Sequence, residues 1–293
     1  MLGISLLIMA CAIWGFAFAG SRWTFIDYSP IWSHCLRYIF AALIAIPVVQ
    51  FRKGFTHLKE GLICAVFLMT ALQMQTIGVA ETTLAKSGFL TVFYAVFTPI
   101  LSVLFLKQKL RKSFWLLLIF AMFGMALMCD LKLSGFNRGD VWILVSALFF
   151  AIHILVVDHY AENIDPLNFN FIQCIFMGLI AIPLGLLLDG VPNLSPLMNK
   201  EALIFPSSLY GFLLLSIFSS LIAFSFQMAA QKRTPAHVVG LIFLSESLFA
   251  SLSGWIFFDE SLTFTQIIGA VIILISVALI PKFASLRKGD LKD

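Results

Sequence analysis

Glu246, in the stretch LIFLSESLFA, is the only Asp, Glu, Lys or Arg between Arg233 and Asp259. A carboxyl isolated among apolar residues can recognise an amine or take up and release a proton; held neutral by a neighbouring helix it is only structural. Arg37, in HCLRYIF, can snorkel to the outer interface, pair with helix-end carbonyls, or bind a ligand. His153 titrates near neutral pH or makes a structural hydrogen bond. Trp14, with Gly15 beside it to admit a backbone or a ligand, can stack on a planar solute or simply pack. Gln73, Gln75 and Gln227 are polar without charge and are expected to turn from lipid toward helix contacts or a pathway. Ser87 and Gly88 open an apolar run beside Lys86, where a helix N-terminus would attract a carboxylate. Arg37, Gly15 and Pro99 are taken as structural or gating positions, and Trp14, Gln73, Ser87, Tyr94, His153, Gln227 and Glu246 as candidate binding residues. No catalytic residue is assigned, since HExxH, GxSxG, GxGD and GxxxxGK[ST] are all missing, and NRGD at Asn137 lacks the first glycine. The five cysteines are scattered without metal-like spacing, and no metal or cofactor is expected.

The elements that must carry these groups are membrane helices. The 293 residues are 61% hydrophobic and 12% charged, with mean hydropathy +1.01, too apolar to cover a water-soluble surface. Between turn signals the apolar runs are about 20 residues, enough to cross ~30 Å of hydrocarbon. Ten such spans are predicted, near 2–20, 31–51, 61–80, 84–106, 113–130, 139–159, 166–188, 208–230, 236–258 and 263–283. The first reads as a retained helix, because no Lys or Arg precedes it. No soluble domain fits in the connections. With both termini cytoplasmic, thirteen Lys and Arg fall on that side, including the KQKLRK run, against five on the other. The net charge of +4 therefore reports orientation toward lipid rather than a nucleic-acid surface.

The chain also repeats itself. IFAALIAIP at Ile39 and IFMGLIAIP at Ile175 lie 136 residues apart, and the same offset pairs Pro30 with Pro166. Five spans separate the copies, an odd number, so the second copy enters the membrane upside down. The predicted fold is an all-α membrane protein of ten helices in two inverted five-helix repeats, residues 1–133 and 134–293. Later in the chain the offset is 152, aligning LKQKL with FDESL, and Tyr94 with Glu246 at mid-depth. The copies differ informatively at Arg37 against Gln173, Trp14 against Phe150, and Tyr94 against Glu246. Thr263 and Gln266 have the spacing of a capping box at the last helix.

With AIWGFAFAGSRW, HCLRYIFAALIAIP, AKSGFLTVFYAVFTPILSVLFLKQKL and SESLFASLSGWIFFDESLTFTQIIGAVIILISVALI, the chain resembles the EamA-type ten-helix members of the drug/metabolite transporter superfamily over nearly its whole length. It departs from the usual pattern at Gln108, often acidic, and at Ser247, often proline. The resemblance implies an alternating-access transporter in a bacterial inner membrane, monomeric or homodimeric, without cofactor or ATP hydrolysis, and with efflux as the default direction. Inverted repeats independently place a site near the midplane between the halves. A sparsely charged, aromatic-rich interior suits an amino acid or related amphipathic metabolite, with proton coupling through Glu246 as one option. Uptake or exchange of S-adenosylmethionine-like or other nucleoside-type solutes is the alternative; an intramembrane enzyme or a non-transporting scaffold is the reading of another class.

Overall fold

The computed structural model describes residues 2–52, 54–82, 84–129 and 136–283, without the side chains of residues 79–80 and 84–87. Its helices are α1 (Leu2–Thr24), α2 (Pro30–Arg52), α3 (Leu58–Glu81), α4 (Leu84–Thr91 and Tyr94–Leu106), α5 (Lys112–Met128), α6 (Arg138–Tyr160), α7 (Pro166–Asp189), α8 (Ser208–Gln231), α9 (Ala236–Phe243 and Glu246–Phe258) and α10 (Phe264–Phe283). Among the described residues nine spans are long and apolar enough to cross a membrane; α5, with 17 residues, is the short one. At 1.5 Å per residue α5 still covers ~26 Å, the lower limit for a crossing. The expected boundary between repeats, at 133/134, lies outside the described residues. The long connection after α7 holds only a turn of helix, Ser195–Met198, and a 3₁₀ turn, Lys200–Leu203.

Helix starts follow local chemistry. Asn137 and Asp140 form a reciprocal capping box at α6 (Asp140 N to Asn137 Oδ1, 3.0 Å; Asn137 N to Asp140 Oδ2, 2.9 Å). The box expected at α10 is present too: Thr263 N donates to Gln266 Oε1 at 2.8 Å and Gln266 N to Thr263 Oγ1 at 3.3 Å. The C-termini of α4 and α9 are twins. Lys107 and Asp259, 152 residues apart, are both left-handed with φ of 53°, and each is followed by a long backbone bond, Gln108 N to Ser102 O and Glu260 N to Gly254 O.

The same offset relates two breaks that nothing in the sequence advertised. Helix α4 is interrupted after Thr91 and α9 after Phe243, so Tyr94 and Glu246 each open the second segment. Neither break contains Gly or Pro. Each tightens into three-residue turns, with Ala95 N to Val92 O at 2.8 Å in one and Ser245 N to Ile242 O at 2.9 Å in the other. In α9 the hydroxyls of Ser245 and Ser247 donate to the carbonyls of Ile242 and Leu244, both at 2.7 Å. Hydroxyls that back-bond to a preceding turn bend membrane helices, which gives Ser247 a role where a proline would otherwise kink the chain.

Packing ties the halves together across the pseudo-twofold relation. Helix α2 lies on α7, α5 on α10, the α3–α4 hairpin on α6, and the α8–α9 hairpin on α1. Without a hydrophobic drive between helices in lipid, close backbone approach carries much of this association. Between α2 and α7 a Cβ at Gly178 would lie 2.5 Å from Ala42 Cβ and 2.8 Å from Tyr38 O, so no side chain fits. Gly178→Val should lower the stability of the detergent-solubilised protein by about 1–3 kcal/mol, the range for overpacking, seen as a lower Tm.

Candidate functional site

A cavity of about 180 Å³ lies between the halves. Most of its wall comes in pairs related by the two sequence offsets: Trp14 with Phe150, Ala17 with His153, Phe18 with Ile154, Leu72 with Phe224, Gln75 with Gln227, Thr91 with Phe243, and Tyr94 with Glu246. Such pairing places the cavity on the pseudo-twofold axis, near mid-depth. Ser21, Arg37, Leu215 and Ser219 also line it, whereas their equivalents Val157, Gln173, Ile63 and Phe67 do not. The unpaired four lie toward the end of the bundle where α1 finishes and α2 begins, so the cavity leans to that end.

The opposite end is sealed. There the first segment of α9 crosses the second segment of α4 closely enough that a Cβ at Gly240 would lie 3.4 Å from Ala95 Cα. Aromatic rings of the cavity wall pack on one another: Tyr94 meets Phe243 edge-on at 6.1 Å and Phe150 at 6.3 Å, and Trp14 meets Phe243 at 5.0 Å and Phe224 at 4.9 Å.

Two groups of opposite charge face this apolar wall. Arg37 does not snorkel to helix-end carbonyls. Its Nε donates to Ser220 Oγ at 2.7 Å and Nη2 to Ser219 Oγ at 2.8 Å, and it stacks 5.1 Å from the Tyr38 ring. Glu246 is partly open to the cavity. Among the described residues the ion pairs within 4 Å are Arg22–Glu260 and Arg52–Asp165, so Arg37 and Glu246 are paired neither with each other nor elsewhere. A charge at mid-membrane costs ~2.5 to 3.5 kcal/mol, and no ion pair at contact distance offsets it at Glu246.

The serines that hold Arg37 sit on an unusual piece of backbone. From Leu214 to Ala223 helix α8 is wound as a π-helix. Such wide turns are rare, and here side chains from other helices bond three of their carbonyls. Trp14 Nε1 donates to Ser219 O at 3.2 Å, and Asn170 Nδ2 donates to Ser220 O at 2.9 Å and Leu221 O at 2.8 Å. Trp14 therefore both walls the cavity and pins the segment that positions Arg37.

Of the residues singled out from sequence, Trp14, Tyr94, His153, Gln227, Arg37 and Glu246 line one cavity. Gln73 does not; it is buried on α3 away from it, and Gln75 takes the lining position, with Nε2 donating to Thr91 Oγ1 at 3.2 Å. The offset pairing Gln75 with Gln227 was the signal that separates the two glutamines. Gly15 admits a helix rather than a ligand, since a Cβ there would fall 2.4 Å from Phe249 Cβ. Pro99 is buried inside the second segment of α4, beyond the break. The Ser87 side chain lies outside the described residues; its backbone belongs to the first segment of α4. Phe224, Phe243, Leu215 and Ser219 were missed, being common residue types in a chain 14% aromatic.

Residues 1–129 and 137–281 match the EamA-like transporter family. The chain belongs to that family. It is a membrane transporter with two EamA halves, in keeping with inverted repeats, and not an enzyme. This EamA-like transporter is 27% identical to an uncharacterized transporter of Archaeoglobus fulgidus over 94% of its own length and 84% of the relative's. It is 21% identical to the S-adenosylmethionine uptake transporter of Rickettsia bellii, over 81% of its own length and 79% of the relative's. A solved crystal structure superposes with a TM-score of 0.80 over 99% of both chains at 13% identity, a likeness of fold alone.

Proposed function

We propose that this EamA-like transporter carries a small α-amino acid, or a compound built on one, by alternating access. The observation that carries the reading is that Arg37 and Glu246, of opposite charge and neither in an ion pair within 4 Å, face one aromatic-walled cavity. Arg37 receives the α-carboxylate, Glu246 the ammonium, and Trp14, Phe150 and Phe243 the side chain. A zwitterion satisfies both charges at once, where a purely anionic or cationic solute leaves one bare. The distribution of Lys and Arg supports a cytoplasmic end at the sealed side, with the cavity leaning away from it.

The test is counterflow of labelled amino acids in proteoliposomes, with N-acetylated and carboxamide analogues as competitors. Free amino acids should compete and both blocked forms should fail; equal competition by N-acetylated forms would sink the reading. In Glu246→Gln, affinity for free amino acids should fall roughly 10- to 100-fold, because a charge-assisted contact is replaced by a neutral one.

Alternating access makes its own prediction from the unpaired lining residues. In a chain with the native cysteines replaced, Ser21→Cys should react with a polar thiol reagent from the open end, and Val157→Cys from the other end during turnover. If Val157→Cys stays unreactive while solute is moving, exchange of the two halves is not the mechanism.

A second reading is favoured by the Rickettsia bellii relative. S-adenosylmethionine contains the same α-amino acid group and adds a planar base, for which the aromatic wall is suited. The same counterflow assay separates the two, through competition by S-adenosylmethionine against the simple amino acids.

A further inference from the structure

Two chains of hydrogen bonds reach the cavity from backbone carbonyls. A carbonyl can only accept, so each chain has a fixed direction along its whole length. In the first, Ile154 O accepts from Gln231 Nε2 at 2.9 Å. Gln231 thereby turns Oε1 the other way, where it accepts from Gln227 Nε2 at 2.8 Å. Gln227 is left with its own Oε1 as the terminal group. That residue is 1% exposed, it lines the cavity, and its Oε1 meets no donor.

The second chain starts at the carbonyls of Ser220 and Leu221, which accept from Asn170 Nδ2. Asn170 Oδ1 therefore faces away and accepts from Gln173 Nε2 at 3.5 Å. Gln173 Oε1 then meets His153 Nε2 at 2.9 Å and must accept. The proton of the neutral imidazole is fixed on Nε2, which leaves Nδ1 as an acceptor on a ring that lines the cavity.

Both chains thus terminate in acceptors, at the end of the cavity remote from Arg37. Arg37 is about two turns from the start of α2 at the open end, while Gln227 is about one turn from the end of α8 at the sealed end. Gln227 Oε1 is buried without a partner, which is costly; water can donate to it before a solute enters, but a solute that displaces that water must supply the donor itself.

We propose that the cavity floor is a hydrogen-bond-acceptor subsite, formed by Gln227 Oε1 and His153 Nδ1, that takes a hydroxyl, amide or ring N–H at the end of the solute remote from Arg37. The orientation of the solute rests on the zwitterion reading above; the donor requirement does not. Amino acids with polar uncharged or donor-bearing aromatic side chains are therefore preferred to aliphatic ones of equal size.

Near-isosteric pairs read this directly: threonine against valine, glutamine against methionine, tyrosine against phenylalanine, each as the free amino acid and as its N-acetyl amide. Kd is measured on the purified full-length protein. The donor-bearing member should bind roughly 10- to 100-fold tighter in at least one pair. Gln227→Met, of similar length without an amide acceptor, should abolish the preference by weakening the donor-bearing member alone. His153→Phe provides a second removal of an acceptor should Gln227→Met fail to fold. Equal binding within every pair, or a preference that survives both Gln227→Met and His153→Phe, overturns the subsite. A preference seen only among N-acetyl amides keeps the subsite and overturns the zwitterion reading. Free amino acids binding without preference do the reverse, and no binding by any compound overturns both.

Discussion

Arg37→Gln is expected to weaken binding of a free amino acid about 100-fold or more, while a carboxamide analogue, already poor, changes little. Two guanidinium donors are committed to Ser220 and Ser219, at 2.7 and 2.8 Å, and none to a carboxylate. The remaining N–H groups of the fork can meet a solute carboxylate in a wall of Trp, Phe and Leu that screens little. Truncating one side of a desolvated, hydrogen-bonded charge pair costs about 2 to 5 kcal/mol. Arg37→Lys should fall between, because a point charge on a flexible stem cannot bond both serines and a carboxylate in one plane. The measurement is Kd for paired amino acids and amides in wild type and both variants. Parallel losses for the amino acid and its amide would mean that Arg37 supports the helix instead of the solute.

Asn170→Leu should destabilise the protein by about 1–3 kcal/mol, since Ser220 O loses its amide donor and Leu221 O loses one of two donors, keeping Ser225 Oγ at 2.6 Å. Asn170 is fully buried, and one amide group serves Ser220 O, Leu221 O and Ser225 Oγ. Leucine fills similar volume but donates nothing, and loss of the amide bonds favours rewinding of the π-wound stretch of α8 as α-helix. Rewinding shifts the register of the serines by one residue and withdraws Ser219 and Ser220 from Arg37. Solute affinity should therefore fall together with Tm, although Asn170 does not line the cavity. Asn170→Asp, which keeps size and loses the donor, should behave alike. Unchanged affinity in a variant with lowered Tm would separate the π-segment from the site.

Much of the fold was legible because membrane helices must satisfy their backbone internally and expose apolar side chains to lipid. Span length and hydrophobicity then mark each crossing. The ten crossings, the capping box at Thr263, and the equivalence of Tyr94 with Glu246 all followed from spacing. The site was legible where polar groups stand alone in apolar runs, as at Glu246 and Arg37. It was illegible where the deciding property is the direction a side chain takes. Gln73 and Gln75 are two residues apart on one helix, and which one reaches the cavity depends on the face that α3 presents.

The sequence by itself determined that this is a membrane protein of nine to ten spanning helices in two related halves, because span length and repeat offset survive in the chain as counts. Only the tertiary structure decided that α4 and α9 break just before Tyr94 and Glu246, and that ten residues of α8 wind as π-helix. It also decided that Arg37 turns inward to Ser219 and Ser220. None of these is marked by Gly or Pro, and the local back-bonds of Ser245 and Ser247 in α9 have no counterpart residues in the α4 break. Each is set by side chains and backbone more than a hundred residues apart, Trp14 with Ser219, Arg37 with Ser220 and Ala95 with Gly240, which meet only when the halves close on each other.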